Sequence, residues 1–179
     1  MSMVRFVLVA LLAVSPFTAT TSYAAGQTAE TLSAPERVTA DTARVTPGGA
    51  TFTVPSGWAI ETGKDLVVLT PPETDTHVAI FDAQAADAKA AVEAAWAAYR
   101  PGSKRPLKLT TPRPAREGWD ERQVFDYETS PNERAVVQVI ALRAGAIWTA
   151  FIIDGTDPTV EKRAEIGRAS CRERVYGPV

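Results

Sequence analysis

The sequence predicts an α+β fold, with a single twisted, mainly antiparallel sheet and helices packed on it. Three observations lead to this prediction. Short apolar or alternating runs, separated by Gly, Pro, Asn and Ser, have the period of β-strands. One alanine-rich stretch between them has the composition and period of a helix. The last three predicted strands follow one another through short turns, which makes them antiparallel neighbours.

The first 24 residues have the pattern of a secretory signal peptide. One early positive charge, Arg5, precedes an apolar run over 6–14, and Ser22-Tyr23-Ala24, with small residues at its first and last positions, closes the stretch. A charged start, a short apolar middle and an A-x-A-like end are the parts of such a signal. The apolar run is shorter than the about 20 residues that cross a bilayer. We therefore expect a periplasmic or secreted protein without a membrane span.

Residues 25–46 are rich in Thr, Ala, Ser and Glu and have little periodicity, which predicts a mobile leader. The next residues open an α+β domain predicted over 47–164. Its first strand is expected where TFTV alternates, and Pro55 ends it because proline cannot donate to a ladder. Two apolar runs within 65–80, separated by residues 71–76, predict a hairpin.

Residues 87–100 predict a helix that begins at Asp87 and ends before Pro101. Alanine is the best helix former, and the apolar side chains recur at helical spacing. The expected apolar face is formed by Ala88, Val92, Ala95 and Tyr99, with Trp96 beside them.

The second half is predicted as a meander of three strands, within 119–129, 134–142 and 146–153. The last two runs are apolar on both faces, as in strands that are covered on both sides. A final helix is expected to start at Asp157 and Pro158, because proline is favoured at the first helical position. Its apolar stripe stops at Ala164, so we expect the domain to be truncated in this helix.

Residues 165–179 are predicted to be a non-native tail. A back-translation of residues 166–175 resembles a widely used short-read sequencing adapter, and sequence of technical origin is left out of fold reasoning. The single cysteine, Cys171, lies in this tail. The native part is therefore expected to have no disulfide, thiolate nucleophile or cysteine metal site.

The charge of the remaining chain argues against nucleic-acid binding. The sequence has 19 basic and 21 acidic residues, and taking away the four basic and two acidic residues of 1–24 and 165–179 leaves a net charge of −4. A nucleic-acid-binding domain needs a basic footprint instead.

The segment 100–116 is a local exception, since it has no acidic residue and is rich in proline. One interpretation is a basic surface for an anionic envelope component or for a further domain of the same protein. The other is a solvated connection stiffened by proline. Its basic residues are Arg100, Lys104, Arg105, Lys108, Arg113 and Arg116.

No catalytic, cofactor-binding or metal-binding residue is predicted. His77 is the only histidine, and neither a G-x-S-x-G elbow nor the S-x-x-K signature of penicillin-recognising enzymes occurs. Ser103 has Lys104 beside it, but adjacent residues on a loop lack the three-residue helical offset of that signature. The tryptophans are expected in core and seam positions, with an aromatic ligand pocket as the alternative. They are Trp58, Trp96, Trp119 and Trp148.

Two resemblances accompany these patterns. TFTVPSGW, at 51–58, resembles the opening of PsbP-like domains, which implies a PsbP-like sheet. Three stretches resemble the region that precedes the catalytic domain in exported bacterial serine hydrolases of the β-lactamase and penicillin-binding-protein type. They are AAVEAAWAAYRP, LKLTTPRPAREGWDERQVFDYETSPNERAVV and DGTDPTVEKR.

The second resemblance implies a non-catalytic accessory domain, a fragment of a serine hydrolase whose catalytic domain is missing. In that family the catalytic serine and lysine lie downstream, so no catalytic residue is carried over to this sequence. The missing catalytic domain would then be one partner of the segment 100–116. The alternative is a complete small extracytoplasmic binding protein of PsbP-like fold.

Overall fold

The computed structural model describes residues 30–116 and 118–163. Within them the chain forms ten strands and two helices. The strands are β1 (Glu36–Arg37), β2 (Thr42–Val45), β3 (Thr51–Val54), β4 (Ala59–Thr62), β5 (Leu66–Thr70), β6 (His77–Ala83), β7 (Leu107–Arg113), β8 (Glu121–Tyr127), β9 (Ala135–Ala144) and β10 (Ile147–Thr156). The helices are α1 (Ala88–Tyr99) and α2 (Asp157–Lys162).

Eight of these strands form one sheet in the order β1-β4-β5-β6-β10-β9-β8-β7, and β2 pairs with β3 in a separate hairpin. All pairings are antiparallel. The predicted antiparallel sheet, the β5–β6 hairpin and the meander β8–β9–β10 are therefore confirmed. Strands far outnumber helices in the described residues, so the domain is mainly β and the α+β class holds only in a coarse sense.

Apolar clusters cover the two faces of the sheet. Helix α1 packs on one face, in a cluster that includes Val92, Phe125 and Ile152. The β2–β3 hairpin covers the other face, in a cluster that includes Phe52 and Phe151. Strand β10 contributes to both clusters, and its residues from 148 to 155 are all buried. This confirms the prediction that the last strand is covered on both sides.

Helix α1 follows the sequence prediction closely. The Asp87 carboxylate caps its start by accepting a hydrogen bond from the Ala90 N–H at 2.8 Å, and the Arg100 N–H bonds to the Trp96 carbonyl at its end. Its buried residues are small, so the helix axis can approach the sheet closely. They are Ala88, Ala91, Val92 and Ala95.

The β5–β6 loop, residues 71–76, holds the end of β10 and the start of α2. One Asp75 carboxylate oxygen accepts hydrogen bonds from the Thr156 hydroxyl at 2.8 Å and the Thr159 hydroxyl at 3.2 Å. The Thr156 hydroxyl is the main reason why the pKa of Asp75 is lowered. The final helix therefore begins where the sequence predicts, anchored by side chains of a loop far away in sequence.

Glu73 in the same loop pairs with the end of α2, and we expect this pair to make stability depend on acid pH. Its carboxylate lies 2.7 Å from Lys162 Nζ and 2.9 Å from an Arg163 nitrogen. Hydrogen bonds from Lys162 and then Arg163 lower the pKa of Glu73 from 4.5 to about 2. Between pH 4.5 and about pH 2 the folded protein therefore binds fewer protons at Glu73 than the unfolded chain does. The contribution of Glu73 to the free energy of unfolding is complete above about pH 4.5 and is lost as the pH falls from 4.5 to about 2.

The measurement is urea unfolding of the wild type and of Glu73→Gln between pH 7 and pH 2. We expect Glu73→Gln to be less stable at pH 7, and the difference to disappear as the pH falls through this window. A difference that stays constant down to pH 2 would contradict this assignment.

Three segments differ from the prediction. The predicted leader 25–46 contains β1, which pairs with the more distant β4, and β2, which pairs with β3 in a hairpin. The connection expected within 100–116 contains β7, a strand of seven residues. Strand β4 was not predicted either, and it lies between β1 and β5. In each case the segment is a strand because a partner strand supplies its hydrogen bonds, and the pattern of side chains within the segment does not show this.

Some predictions fall on residues that the structure does not describe. The signal peptide 1–24 and the tail 165–179, with Cys171, lie outside the described residues. Within residues 30–116 and 118–163, no helix is long and apolar enough to cross a membrane.

Candidate functional site

A groove of about 450 Å³ runs beside α1, on the side of β7 and β8. It exists because α1 packs mainly over β5, β6, β9 and β10 and reaches β8, near the edge of the sheet, through the Trp96 side chain. The floor is formed by side chains of β8, one wall by α1 and the end of the groove by residues 102–105. A volume of this size is typical of a ligand pocket.

Aromatic side chains form the apolar part of this groove. Trp96 of α1 donates a hydrogen bond from Nε1 to the Tyr127 hydroxyl oxygen at 2.9 Å. The two rings meet edge to face, with centroids 5.5 Å apart. Phe125 lies two residues before Tyr127 on the same face of β8 and is buried. The hydrogen bond and the ring contact fix the orientation of the indole against the strand.

Four cations line the groove: Lys89, Arg100, Lys104 and Arg105. Two of them are already paired. Arg100 lies 2.5 Å from the Asp154 carboxylate, which is largely buried. Arg105 donates to both carboxylate oxygens of Glu133 at 3.2 Å. This bidentate pair lowers the pKa of Glu133 and raises the pKa of Arg105, so both stay charged at neutral pH.

The other two cations are less engaged. Lys89 lies 3.8 Å from Glu93 in an exposed pair within the same helix, which contributes little. Lys104 is exposed and has no ion-pair partner among the described residues. Its ammonium group is therefore the charge that is most available to a ligand in the groove.

The tyrosines beside the groove remain protonated. Burial raises the pKa of Tyr127, and it is also the main cause that raises the pKa of Tyr99. Because the Tyr127 oxygen accepts from Trp96, its own O–H proton can be donated to a bound molecule. Tyr127 is therefore a hydrogen-bond donor rather than a general base.

His77 lies at the start of β6, as predicted, and is half-buried. Its cross-strand neighbour is Asp154, which pairs with Arg100. Burial and then the positive charge of Arg100 lower the pKa of His77, so the imidazole is neutral at pH 7. It thus belongs to the strand end beside the Arg100–Asp154 pair and does not line the groove.

The serines take part in local hydrogen bonds. Ser33 and Ser56 donate to backbone carbonyls, and the Ser130 oxygen accepts from the Asn132 N–H. Ser103 lines the groove next to Lys104. Among the described residues, no serine hydroxyl is hydrogen-bonded to a histidine or a lysine, the arrangement that activates a serine nucleophile.

No group of three or more His, Cys, Asp or Glu side chains that could hold a metal ion occurs among the described residues. Of the described residues that line the groove, one is a carboxylate, Glu93, and four are cations. Its chemistry suits an anion rather than a cation.

The structure separates the four tryptophans. Trp58, Trp119 and Trp148 are buried in the two core clusters, which confirms the packing interpretation for them. Trp96 is only partly buried and lines the groove. Arg100 and residues 102–105 of the predicted basic segment line the same groove, as does Leu107 at the start of β7, which is formed by 107–113.

The sequence did not predict that Phe125 and Tyr127 form the floor of a groove. Their alternation in β8 indicated a shared face of the strand, and this is confirmed. What the alternation does not record is that α1 lies mainly over the centre of the sheet, so that a groove remains beside the helix above these two residues. That depends on the position of β8 near the sheet edge.

A scan of protein-family models finds no match to the chain, and a search of curated proteins by sequence finds none either. Among solved structures, the chain is similar to the solution structure of cyanobacterial PsbP (CyanoP) from Synechocystis sp. PCC 6803. The TM-score is 0.52 at 12% sequence identity, and the match covers 74% of this chain and 92% of that chain.

This likeness confirms the PsbP-like fold that the stretch 51–58 suggested. At such low identity it shows the fold alone, so no residue role is transferred from the cyanobacterial protein. It gives no support to a serine hydrolase parent.

Proposed function

We propose that this domain is a non-catalytic, extracytoplasmic binding domain whose groove binds an anionic ligand with an apolar or aromatic part. One observation carries the proposal: Trp96, Phe125 and Tyr127 face the same groove as Lys104, a cation without an ion-pair partner among the described residues. The extracytoplasmic location rests on the signal-peptide pattern of residues 1–24.

The groove offers separate contacts to the two parts of such a ligand. The indole of Trp96, held by its hydrogen bond to Tyr127, presents a fixed apolar surface. Lys104 supplies positive charge at the end of the groove, and the Tyr127 O–H can add a hydrogen bond. Arg100 and Arg105 contribute less to affinity, because their charges are already balanced by Asp154 and Glu133.

The proposal predicts how two matched probes bind. The aromatic anion 8-anilinonaphthalene-1-sulfonate should bind more tightly than its neutral analogue N-phenyl-1-naphthylamine. Lys104→Glu should lower the affinity for the sulfonate by about ten-fold and leave the affinity for the neutral analogue unchanged, because only the anion interacts with the ammonium group. Trp96→Ala should lower the affinity for both probes, because both contact the indole surface.

Binding is measured by fluorescence titration, with near-UV circular dichroism to show that each variant is folded. Lys64→Glu is the matched control, since Lys64 is also an exposed lysine but lies outside the groove. Equal loss of sulfonate binding in Lys64→Glu and Lys104→Glu would contradict a site in this groove.

We also propose a parent for the domain, the exported serine hydrolase that the sequence resemblance implies. This rests on the stretches 90–101, 107–137 and 154–163 alone. The alternative, a small extracytoplasmic binding protein with this fold and no catalytic domain, is compatible with the fold likeness.

The genomic sequence beyond the codon of Ala164 decides between them. We expect an open frame that encodes S-x-x-K, and no codons for Cys171 and its neighbours. A stop codon soon after the final helix would favour the small binding protein. Codons for residues 166–175 in genomic DNA would overturn the adapter interpretation.

A further inference from the structure

Strand β7 is one outer edge of the eight-stranded sheet. It pairs with β8 on one side, and no strand of the described residues pairs with its other side. Its outer backbone N–H and C=O groups are therefore open to pairing with another chain. The opposite edge of the sheet is β1, which has only two residues and offers far less backbone.

The side chains of β7 are unusually apolar for an exposed edge. Among the described residues, the exposed large hydrophobic side chains are Val45, Leu107 and Leu109, and two of these three belong to β7. Leu107 is 48% exposed and Leu109 is 56% exposed. Natural edge strands usually avoid this combination, because it favours association with other strands.

The charges that the segment 100–116 itself carries, which includes β7, all have one sign. Lys104, Lys108 and Arg113 are exposed and have no ion-pair partner among the described residues, and no acidic residue occurs from 100 to 116. Pairing of β7 with a second copy of itself would bring these cations together, which is unfavourable. The carboxylates of an acidic strand would instead form ion pairs with these cations.

Pro112 indicates which backbone groups are available. Within a sheet, proline is confined to edge strands, where its backbone nitrogen, which has no hydrogen to donate, faces away from the neighbouring strand. Thr110, two residues earlier in the same regular stretch of β7–β8 pairing, directs its N–H to the same side. The register of the β7–β8 pairing shifts between Leu107 and Leu109 and is regular from Leu109 to Arg113. The outward backbone groups around Thr110 are therefore the ones best placed to accept another strand, which would extend past the irregularity to Leu107.

We propose that β7 is a docking edge for an extended acidic segment of a partner protein, which adds to the sheet beside residues 107–111. Main-chain hydrogen bonds and contacts with the two leucines hold the segment, and the lysines and Arg113 select its carboxylates. The two proposals can fail separately, because the groove proposal depends on Trp96 and this one depends on the β7 backbone, although Lys104 and Leu107 border both the groove and the edge.

The test uses isotope-labelled protein and a capped heptapeptide of alternating glutamate and valine as the probe, followed by NMR. We expect chemical-shift changes centred on 107–111 that saturate with peptide and weaken with salt. The same peptide with lysine in place of glutamate should bind at least about ten-fold more weakly. Shifts centred elsewhere, or equal binding of both peptides, would overturn the proposal.

Two variants separate backbone pairing from charge. Thr110→Pro removes the outward N–H and should lower the affinity for the acidic peptide by about ten-fold or more. The double variant Lys108→Glu/Arg113→Glu should no longer bind the acidic peptide and should bind the lysine peptide instead. Unfolding of the variant could not produce this exchange of specificity. Trp96→Ala is the control and should change neither affinity. Unchanged binding by Thr110→Pro would overturn the proposal.

Two other occupants would also overturn it. One is a dimer of this chain that is lost in Thr110→Pro, seen by analytical ultracentrifugation. The other is binding to vesicles of anionic phospholipid that is lost in Lys108→Glu/Arg113→Glu, with no binding of the acidic peptide.

Discussion

Phe151→Ala is expected to lower the free energy of unfolding by about 3–5 kcal/mol. Phe151 lies in β10, opposite Ile80 of β6 and Ile140 of β9, and only 2% of it is exposed. It belongs to the cluster under the β2–β3 hairpin. Truncation removes the transfer free energy of the ring and leaves a cavity, because a central strand held on both sides cannot collapse into the space.

The measurement is urea unfolding at pH 7, with the slope of the transition checked against the wild type. A domain of this size is stable by only about 5–15 kcal/mol, so the variant should unfold at a much lower urea concentration. Leu109→Ala is the matched control, since Leu109 is 56% exposed and should change stability by less than about 0.5 kcal/mol. A loss below about 1 kcal/mol for Phe151→Ala would contradict the central position of β10.

Asp82→Ala is expected to destabilise the domain by about 2–4 kcal/mol, because it removes a charged acceptor from the buried Thr149 hydroxyl and from the half-buried Gly48 N–H. The Asp82 carboxylate is only 9% exposed. It accepts hydrogen bonds from the Gly48 N–H at 2.6 Å and from the Thr149 hydroxyl at 2.7 Å. It thereby joins the turn before β3 to the end of β6 and to β10.

Asp120→Ala is the matched control for this prediction. The Asp120 carboxylate also accepts from a glycine N–H, that of Gly145, at 2.7 Å, but this contact is exposed. Water can replace the carboxylate there, so we expect a loss of less than about 1 kcal/mol. Equal losses in Asp82→Ala and Asp120→Ala would show that burial of the Asp82 contacts is unimportant.

Gly48→Ala tests the same contact from the other side. A Cβ on Gly48 would lie 2.6 Å from Asp82 Cγ, so the carboxylate or the turn must move. We expect its effect and that of Asp82→Ala to be non-additive in the double variant, because both disturb one hydrogen bond.

Local sequence was enough to predict the elements whose stability is local or whose burial is complete. Helix α1 was predictable because its alanines, its Asp87 cap and the Pro101 stop all act within the segment. Strand β10 was predictable because a strand buried on both faces must be apolar throughout. The start of α2 was predictable from Pro158, which is pre-organised for the first turn.

The remaining strands depend on their pairing partners in the folded sheet. Strands β1, β2 and β7 have mixed or polar sequences, and they are strands because β4, β3 and β8 supply their hydrogen-bond partners.

The groove and the docking edge have the same origin. Trp96 and the pair Phe125 and Tyr127 are about thirty residues apart in the chain. They meet because β8 lies near the edge of the sheet, while α1 covers its centre. Strand order is set by which non-local pairings bury the most apolar surface together, and a period read along one segment contains no information about it.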